Sequence, residues 1–214
     1  MRFTDRRDAG RQLGALLGHL VPTDPIVVGL PRGGVPVAYE VALALSAPLE
    51  VLVVRKLGCP GQPELGIGAL GEGGVRLLNE ALVAATTTTI RQIEKVTRRE
   101  RAELEERVHR YRGERAPMPV DGRAVIIVDD GLATGFTARA AAEILVRLGA
   151  QRLVIAVPVA SDRAIADMNA VADEVVVVHV PSQFGAVGEF YDDFTQISDD
   201  EVVALLSASM QDPG

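Results

Sequence analysis

Hydrophobic residues along this chain are grouped into short unbroken runs, separated by stretches with helical periodicity. The length of the unbroken runs predicts strands over residues 26–30, 49–54, 124–128, 153–157 and 174–179. Apolar residues spaced three or four apart predict helices over residues 5–19, 35–45, 90–112, 138–148 and 162–170. Strands that are apolar throughout are typical of parallel sheets covered on both faces. The pattern therefore predicts an α/β fold with an open, mostly parallel sheet flanked by helices.

Residues 58–74 break this pattern. They contain seven glycines and two prolines, which predicts an extended, flexible glycine-rich loop leading into a hairpin. Residues 71–74 form the predicted turn before a further strand over residues 75–78. Later in the chain, Ser198 and Glu201 have the spacing of a capping box, which predicts that a helix begins there.

Composition limits the classes of protein to which the chain can belong. Its 214 residues, 48% hydrophobic and 24% charged, predict a single globular domain over residues 1–214. The net charge of −7 argues against binding nucleic acid, which requires a basic surface. The longest apolar runs fall short of the roughly 20 residues of a membrane span, and the first residues are highly charged, so we expect a cytoplasmic protein. The single cysteine, Cys59, excludes an internal disulfide.

The strongest chemical signal follows the predicted strand at 124–128. Asp129 and Asp130 come directly after this strand, and a short loop carrying Thr134 and Thr137 leads into the next helix. Ligands of open α/β sheets bind at the carboxyl ends of strands, and a helix N-terminus attracts phosphate. Two acids suit sugar hydroxyls or a metal rather than the phosphate itself. The string predicts a site for a phosphorylated sugar with vicinal hydroxyls; the alternative is a surface turn and helix cap without a ligand.

This string, residues 125–137, resembles the phosphoribosyl-diphosphate (PRPP) binding motif of the type I phosphoribosyltransferases. The resemblance implies that Asp129 and Asp130 hold the ribose hydroxyls. It also implies Mg²⁺ as cofactor, with the same two acids as its ligands. It assigns the 5′-phosphate to Ala133, Thr134, Gly135, Phe136 and Thr137. It also implies the fold of that family, with a core at about residues 22–179 and a small hood from about residues 1–21 and 180–214.

A second segment agrees with this resemblance. It lies between the first predicted strand and a helix, as the pyrophosphate loop of the family does, and consists of Pro31, Arg32, Gly33 and Gly34. Arg55 and Lys56 follow the next apolar run, at a place where the family often has basic residues near the pyrophosphate. From the residues alone, the first segment could also be a plain turn and the second a solvated strand end.

The glycine-rich residues 57–74 correspond to the mobile catalytic loop of the family. Such a loop can close over the reactants and exclude water. Glu64 in this loop is a candidate catalytic residue, together with Arg32 and Lys56. The alternative is an ordinary hairpin connection.

The resemblance implies transfer of the 5-phosphoribosyl group from PRPP to a nitrogenous base or related acceptor, with release of pyrophosphate. In this family the hood selects the base, which makes Phe184, Phe190 and Tyr191 candidates for stacking on it; packing within the hood explains these aromatics equally well. Ala133 stands where 6-oxopurine enzymes of the family carry an acid, which argues against hypoxanthine and guanine. The whole chain is similar to predicted bacterial members without an assigned acceptor.

Two other functions stay open. Some relatives of this fold bind PRPP or nucleotides as regulators and catalyse little, so a non-catalytic sensor is the alternative to an enzyme. A subunit whose acceptor arrives from another protein is the third possibility. The expected partners are small-molecule substrates, with no nucleic acid and no membrane, and a homodimer is the commonest assembly of soluble proteins.

Overall fold

A computed structural model describes residues 1–211 of the chain, which form two β-sheets and seven α-helices. The strands are β1 (Ile26–Gly29), β2 (Leu49–Val51), β3 (Val54–Cys59), β4 (Gln62–Gly71), β5 (Arg76–Leu78), β6 (Ala124–Val128), β7 (Arg152–Val159) and β8 (Glu174–His179). The helices are α1 (Arg6–Leu16), α2 (Gly34–Leu45), α3 (Glu80–Ala85), α4 (Ile90–Arg112), α5 (Phe136–Arg147), α6 (Asp162–Met168) and α7 (Asp199–Gln211). None of these helices is long and apolar enough to cross a membrane. Residues 212–214, part of the predicted hood, lie outside the described residues.

The larger sheet is fully parallel and has the strand order β2–β1–β6–β7–β8. The three central strands β1, β6 and β7 are buried along almost their whole length, whereas the edge strands β2 and β8 are mostly half-buried. Successive side chains point to opposite sides of a sheet, so burial along a whole strand means that both faces are covered. In β6, Ile126 packs in the cluster that contains α1 and α2, whereas Ile127 packs in the cluster that contains α5. The predicted α/β fold, an open parallel sheet flanked by helices, is confirmed.

The smaller sheet is antiparallel, with the order β3–β4–β5. The apolar run at 49–54, predicted as one strand, is divided between the two sheets, because the chain leaves β2 after Val51 and enters β3 at Val54. The predicted hairpin with its turn at residues 71–74 is present as β4 and β5. The extended loop predicted before it is instead a second hairpin, in which β3 pairs with β4 out to Cys59 and Gln62.

Two glycines fix the distance between α1 and α2. A Cβ on Gly10 would lie 2.7 Å from the Val37 carbonyl oxygen and 2.8 Å from Glu40 Cβ. A Cβ on Gly14 would lie 2.7 Å from Ala44 Cβ. These distances leave no room for a side chain, so the two helices pack backbone to backbone. The first turn of α1 is thereby held close to the start of α2.

A buried arginine links the edge of the parallel sheet to the smaller sheet. Arg112 ends α4; its side chain is 4% exposed and forms ion pairs with Glu50 and Glu72. Its guanidinium also donates to the Val51 carbonyl over 3.0 Å. Glu72 accepts in turn from the Val53 N–H over 3.0 Å. One network therefore holds the bend where the chain passes from β2 to β3.

The adjacent Tyr111 should make stability depend on alkaline pH. Tyr111 is 3% exposed, and its hydroxyl donates to Asp199. Burial, together with the Asp199 carboxylate, raises the pKa of Tyr111 to about 12, whereas an unfolded-state tyrosine titrates near 10. Its contribution is fully present below about pH 10 and is lost as the pH rises towards the folded-state value, because the unfolded state ionises first.

Urea unfolding across this alkaline range tests the expectation. The free energy of unfolding should fall less steeply with pH for Tyr111→Phe than for the unmodified chain, since phenylalanine has no proton to lose. Equal slopes for the two proteins would contradict the assignment.

The first residues of the chain pair with residues near position 190. The Phe3 N–H donates to the Phe190 carbonyl over 2.8 Å, and the Phe3 carbonyl accepts from the Asp192 N–H over 2.8 Å. The side chains of Phe3, Phe190 and Tyr191 pack together against Val159, the last residue of β7. These contacts join the described parts of the predicted hood, residues 1–21 and 180–211, at the carboxyl ends of the parallel strands.

Candidate functional site

The parallel sheet changes its direction of strand addition between β1 and β6. From β1 the chain continues through α2 to β2 on one side, and from β6 through α5 to β7 on the other. In open α/β sheets, ligands bind in the crevice at the carboxyl ends of the strands at such a reversal. The crevice lies here beyond Gly29 and Val128, which pair in register. Both predicted ligand loops, residues 31–34 and 129–137, begin at this crevice.

The two acids after β6 each keep one carboxylate oxygen without a protein partner. Asp129 Oδ1 accepts from the Asp130 N–H, and Asp130 Oδ2 accepts from Arg6 Nε, both over 2.9 Å. Within residues 1–211, Asp129 Oδ2 and Asp130 Oδ1 accept no hydrogen bond. Burial raises the pKa of Asp129 well above its usual value, and the Asp130 carboxylate adds to this rise. Burial also raises the pKa of Asp130, against the opposing charge of Arg6. A bound cation or hydrogen bonds from hydroxyl groups would stabilise the two carboxylates in their charged form.

Gly33 and Gly34 lie directly against the two acids. A Cβ on Gly33 would be 2.0 Å from Asp130 Oδ2, and a Cβ on Gly34 would be 2.8 Å from Asp129 Cα. A side chain at either position would overlap the acid pair, so only glycine allows this approach. The structure therefore brings the predicted pyrophosphate loop and the predicted ribose-binding acids together.

The same loop carries Arg32 and leads into α2. The peptide bond between Pro31 and Arg32 is cis, and the Arg32 side chain is half-buried. The Tyr111 hydrogen bond lowers the pKa of Asp199, and the nearby Arg32 charge adds to that effect. No side chain within residues 1–211 caps α2. The N–H groups of Gly34 and Val35 instead donate to the Leu30 and Arg32 carbonyls over 3.0 and 3.2 Å, so the first turn of the helix is closed by the loop itself.

A second uncapped helix start lies at the end of the acid loop. Gly135, at φ +68°, is the N-cap of α5, and no side chain of the described part of the chain caps this helix. Its first N–H groups therefore form an anion-binding position. Thr134, Phe136, Thr137 and Ala133 are all exposed around it. The residues predicted to bind the 5′-phosphate are thus grouped where a phosphate would be favoured.

The hairpin brings Lys56 and Glu64 to this helix start rather than to the loop at 31–34. Lys56 Nζ lies 3.4 Å from Glu64 Oε2, and the Glu64 side chain is almost fully exposed. Both residues line a cavity of about 640 Å³ together with Thr134 and Thr137.

Arg55 faces the other way. Because it precedes Lys56 in β3, its side chain points to the opposite face of the strand. Its guanidinium donates to Glu100 Oε2 of α4 over 3.0 Å and also pairs with Glu103. The structure therefore does not bring Arg55 together with the other residues predicted to bind pyrophosphate.

The three aromatic candidates for base binding differ in exposure. Phe190 and Tyr191 are 9% and 1% exposed and pack within the hood. Phe184 is half-buried, with its ring centroid 5.4 Å from that of Phe190. The Tyr191 hydroxyl donates to the Asp130 carbonyl over 2.6 Å. In this structure Tyr191 therefore supports the acid loop, and both Phe190 and Tyr191 are packed rather than offering a free ring face.

Arg6 is a site residue that sequence reasoning missed. Its guanidinium binds Asp130 and lies 3.9 Å from the ring centroid of Phe194, which the sequence also did not single out. In the sequence, Arg6 is one of several charged residues at the start of an amphipathic helix. Its partner Asp130 is 124 positions away, so no local spacing marks the contact.

A family model for the phosphoribosyl transferase domain matches residues 10–195, a range that contains both ligand loops and the hairpin. The chain belongs to this family. Two curated relatives from Mycobacterium tuberculosis are named "Putative phosphoribosyl transferase MT0597" (strain CDC 1551 / Oshkosh) and "Putative phosphoribosyl transferase Rv0571c" (strain ATCC 25618 / H37Rv). Each is 51% identical over 210 residues, which cover 98% of this chain and 47% of the relative. The chain thus spans about half the length of these relatives.

The crystal structure of TT1426 from Thermus thermophilus is similar to this phosphoribosyl transferase domain along almost its whole length. The TM-score is 0.86 at 45% sequence identity, covering 96% of this chain and 98% of that chain. The family match confirms the predicted membership of a phosphoribosyltransferase family, and this similarity supports the predicted fold.

The acids of the domain fit Mg²⁺ that is shared with a ligand. Within residues 1–211, no group of three or more His, Cys, Asp or Glu side chains could hold a metal by itself. Mg²⁺ is commonly bound through one or two carboxylates together with substrate phosphates and water. Asp129 Oδ2 and Asp130 Oδ1 are oxygens of that kind, so the donor set suits a cation that arrives with a phosphorylated sugar.

Proposed function

We propose that this domain transfers the 5-phosphoribosyl group of PRPP to a nitrogenous base or related acceptor and releases pyrophosphate. One observation carries the proposal: three complementary features meet at the reversal point of the sheet. They are the open oxygens of Asp129 and Asp130, the glycine loop at 31–34 beside them, and the uncapped start of α5. Ribose hydroxyls, a diphosphate and a 5′-phosphate are the groups that such features bind.

Each part of PRPP has a group of residues to receive it. Asp129 and Asp130 accept hydrogen bonds from the ribose hydroxyls. The loop at 133–137 holds the 5′-phosphate through backbone N–H groups and threonine hydroxyls. Arg32 and the backbone N–H of Gly33 hold the pyrophosphate, and Gly34 leaves room for it beside the acids.

The chemistry needs no covalent nucleophile. The bond between the anomeric carbon and the pyrophosphate oxygen breaks, and its electron pair leaves with pyrophosphate. The lone pair of the acceptor nitrogen forms the new bond, and a proton is then lost from that nitrogen to water. Positive charge develops on the sugar ring, where the acids stabilise it, while Arg32 stabilises the leaving group. Mg²⁺, when bound, adds positive charge beside the pyrophosphate.

The hairpin and the hood complete the proposed site. Lys56 adds a cation beside the 5′-phosphate, and closure of the β3–β4 hairpin, with Glu64 near its tip, excludes water from the activated sugar. The acceptor lies against the hood, where Phe184 and Phe194 retain exposed ring surface. Ala133 stands in the position of an acid, which argues against hypoxanthine and guanine as the acceptor.

A calorimetric titration with PRPP and Mg²⁺, followed by an assay of pyrophosphate release with a panel of bases, tests this function. Binding followed by release with one acceptor is the expected result. Binding without release for every member would favour a PRPP sensor over an enzyme. If PRPP does not bind, both the transferase and the PRPP sensor are ruled out.

Gly33→Ala should weaken PRPP binding about tenfold. The new methyl group overlaps Asp130 Oδ2, and relieving such overpacking typically costs about 1–3 kcal/mol. Calorimetry with PRPP measures the loss. Gly18→Ala is the matched control, because a Cβ on Gly18 would meet nothing within 4 Å. Equal affinities for the two variants would show that the loop does not need to approach the acid.

A further inference from the structure

Arg6 is held by contacts from three directions, although it lies in the first turn of a surface helix. Its Nε donates to Asp130 Oδ2 over 2.9 Å, and its Nη1 donates to the Thr195 carbonyl over 2.9 Å. Its guanidinium carbon lies 3.9 Å from the centroid of the Phe194 ring. The residue as a whole is only 7% exposed. An arginine in this setting has one fixed position rather than a range of solvated ones.

The choice of carboxylate oxygen is informative. Asp130 Oδ2, the oxygen that Arg6 binds, is the one that lies against Gly33, where a Cβ would be 2.0 Å away. That oxygen is enclosed by the glycine loop and by Arg6 itself. The other oxygen, Oδ1, is the one that accepts no hydrogen bond within the described residues. Arg6 therefore binds the oxygen that faces the glycine loop, Oδ2, and leaves Oδ1 open.

The position of Arg6 is itself fixed by the packing of α1. Gly10 lies one turn further along the same helix and is in backbone contact with Val37 of α2. The helix α2 in turn begins at Gly34, at the end of the glycine loop. Arg6, Asp130 and the loop are therefore held in one frame, to which the hood contributes Phe194 and Thr195.

We propose that Arg6 is a positioning residue that orients Asp130 for ribose binding. Through its contacts with Phe194 and Thr195, Arg6 also makes that orientation depend on the packing of the predicted hood. This inference rests on the proposed function, because it assumes that Asp130 meets a ribose. Arg6 does not touch the reacting atoms. It keeps the Asp130 carboxylate turned with Oδ1 towards the crevice, and it balances one of two adjacent negative charges. Outer hydrogen-bond partners of metal-binding side chains typically change affinity about 10- to 100-fold when removed, and we expect an effect of the same order for a ribose-binding carboxylate.

The test compares three ligands that use different parts of the site: PRPP with Mg²⁺, ribose 5-phosphate, and pyrophosphate with Mg²⁺. For Arg6→Gln, we expect the affinities for PRPP and ribose 5-phosphate to fall about 10- to 100-fold. The affinity for pyrophosphate should stay within about twofold, because the proposed pyrophosphate contacts come from the loop at 31–34. A loss confined to the ribose-containing ligands is a pattern that a general packing defect would not produce.

Three further variants complete the design. Arg6→Lys keeps the charge and most of the stem, so it should fold and recover part of the loss. Phe194→Leu removes the aromatic face under the guanidinium and should reproduce a smaller loss with the same ligand pattern. Arg11→Gln is the control; Arg11 lies on the same helix, is 57% exposed and forms only loose ion pairs of 3.8 and 3.9 Å. It should bind all three ligands as the unmodified chain does.

The outcomes are distinct. Equal weakening for all three ligands would reduce Arg6 to a packing residue and overturn the inference. Unchanged affinity in a folded Arg6→Gln variant would do the same, and tighter binding would show that Arg6 competes with the ribose. If the unmodified chain binds neither PRPP nor ribose 5-phosphate, the proposed function fails, and this inference fails with it.

Discussion

Replacing both Asp129 and Asp130 with asparagine should weaken the binding of PRPP at least about 100-fold. Each carboxylate offers one unpaired oxygen to the crevice, and charge-assisted hydrogen bonds contribute about 1.5–3 kcal/mol each. Two such losses amount to about 3–6 kcal/mol, and every 1.4 kcal/mol is a factor of ten in affinity. Asparagine keeps the shape of the side chain, so steric effects are excluded as a cause. Titration calorimetry with PRPP and Mg²⁺ is the measurement.

The double variant also leaves Arg6 without its partner, so the single variant Asp129→Asn is needed beside it. That variant keeps the ion pair between Arg6 and Asp130 and removes a carboxylate whose charge burial already disfavours. It should therefore fold normally and still lose affinity. Asp192→Asn is the control, because the Asp192 side chain is 62% exposed and, among residues 1–211, forms an ion pair only with the exposed Arg2. Unchanged PRPP affinity in folded Asp129→Asn and double variants would remove the central claim about the site.

The second large effect is on stability. Arg112→Met should lower the free energy of unfolding by about 3–5 kcal/mol, because it leaves Glu50 and Glu72 charged, poorly solvated and unpaired. The side chains of these two acids are only 17% and 11% exposed. The variant also loses the donor to the Val51 carbonyl. Urea unfolding curves, analysed for midpoint and slope, measure the loss.

Arg110→Met is the matched control for this stability experiment. Arg110 lies two residues earlier in α4, its side chain is 55% exposed, and it pairs with Asp199 near the surface. Exposed ion pairs contribute less than about 1 kcal/mol, so this variant should unfold close to the unmodified chain. A similar midpoint for Arg112→Met and Arg110→Met would mean that the buried network does not hold the bend between the two sheets.

The part of the site that a contiguous string encodes could be predicted from the sequence. Asp129 and Asp130 follow an apolar strand and precede a glycine-threonine loop, and each of these local features has a direct structural consequence. The glycine loop at 31–34 also lies between an apolar run and a helix, but its residues alone could equally be a plain turn, and the resemblance to the family was needed to single it out. What the sequence could not show is that Gly33 touches Asp130, since that contact depends on β1 and β6 being neighbours.

Residues that act through distant contacts could not be found from the sequence patterns. Arg6 has the appearance of an ordinary helix-surface residue, and only the packing of α1 on α2 carries it to Asp130. Arg55 and Lys56 look like a pair of cations, yet neighbours in a strand point to opposite faces, and Arg55 is engaged with Glu100. The aromatic rings at 190 and 191 are candidates for base stacking in the sequence, but pairing of the chain start with residues 190–192 buries them.

The division of the apolar run at 49–54 was missed for a different reason. Apart from Glu50, every residue in that run is apolar, so hydrophobicity is the same on both sides of the break. One polar partner at the bend is Glu72, which accepts from the Val53 N–H and lies 19 positions later. Another is Arg112, which donates to the Val51 carbonyl from 61 positions away. A pattern of burial cannot reveal a bend that is held by hydrogen bonds from distant segments.

The contacts around Asp130 also determine when, during its own synthesis, this protein could first hold a ligand. Arg6 and Asp130 are 124 positions apart, and Arg6 and Thr195 are 189 positions apart. Ribosomes add about 5–20 residues per second, so the acids follow Arg6 by several seconds, and the hood segment follows later still. Until residues 191–195 are made, neither Arg6 nor the Asp130 carbonyl has its hood partners. On the proposed function, a nascent chain therefore carries the complete string at 125–137 before it carries the contacts that hold Arg6 and the Asp130 carbonyl in place.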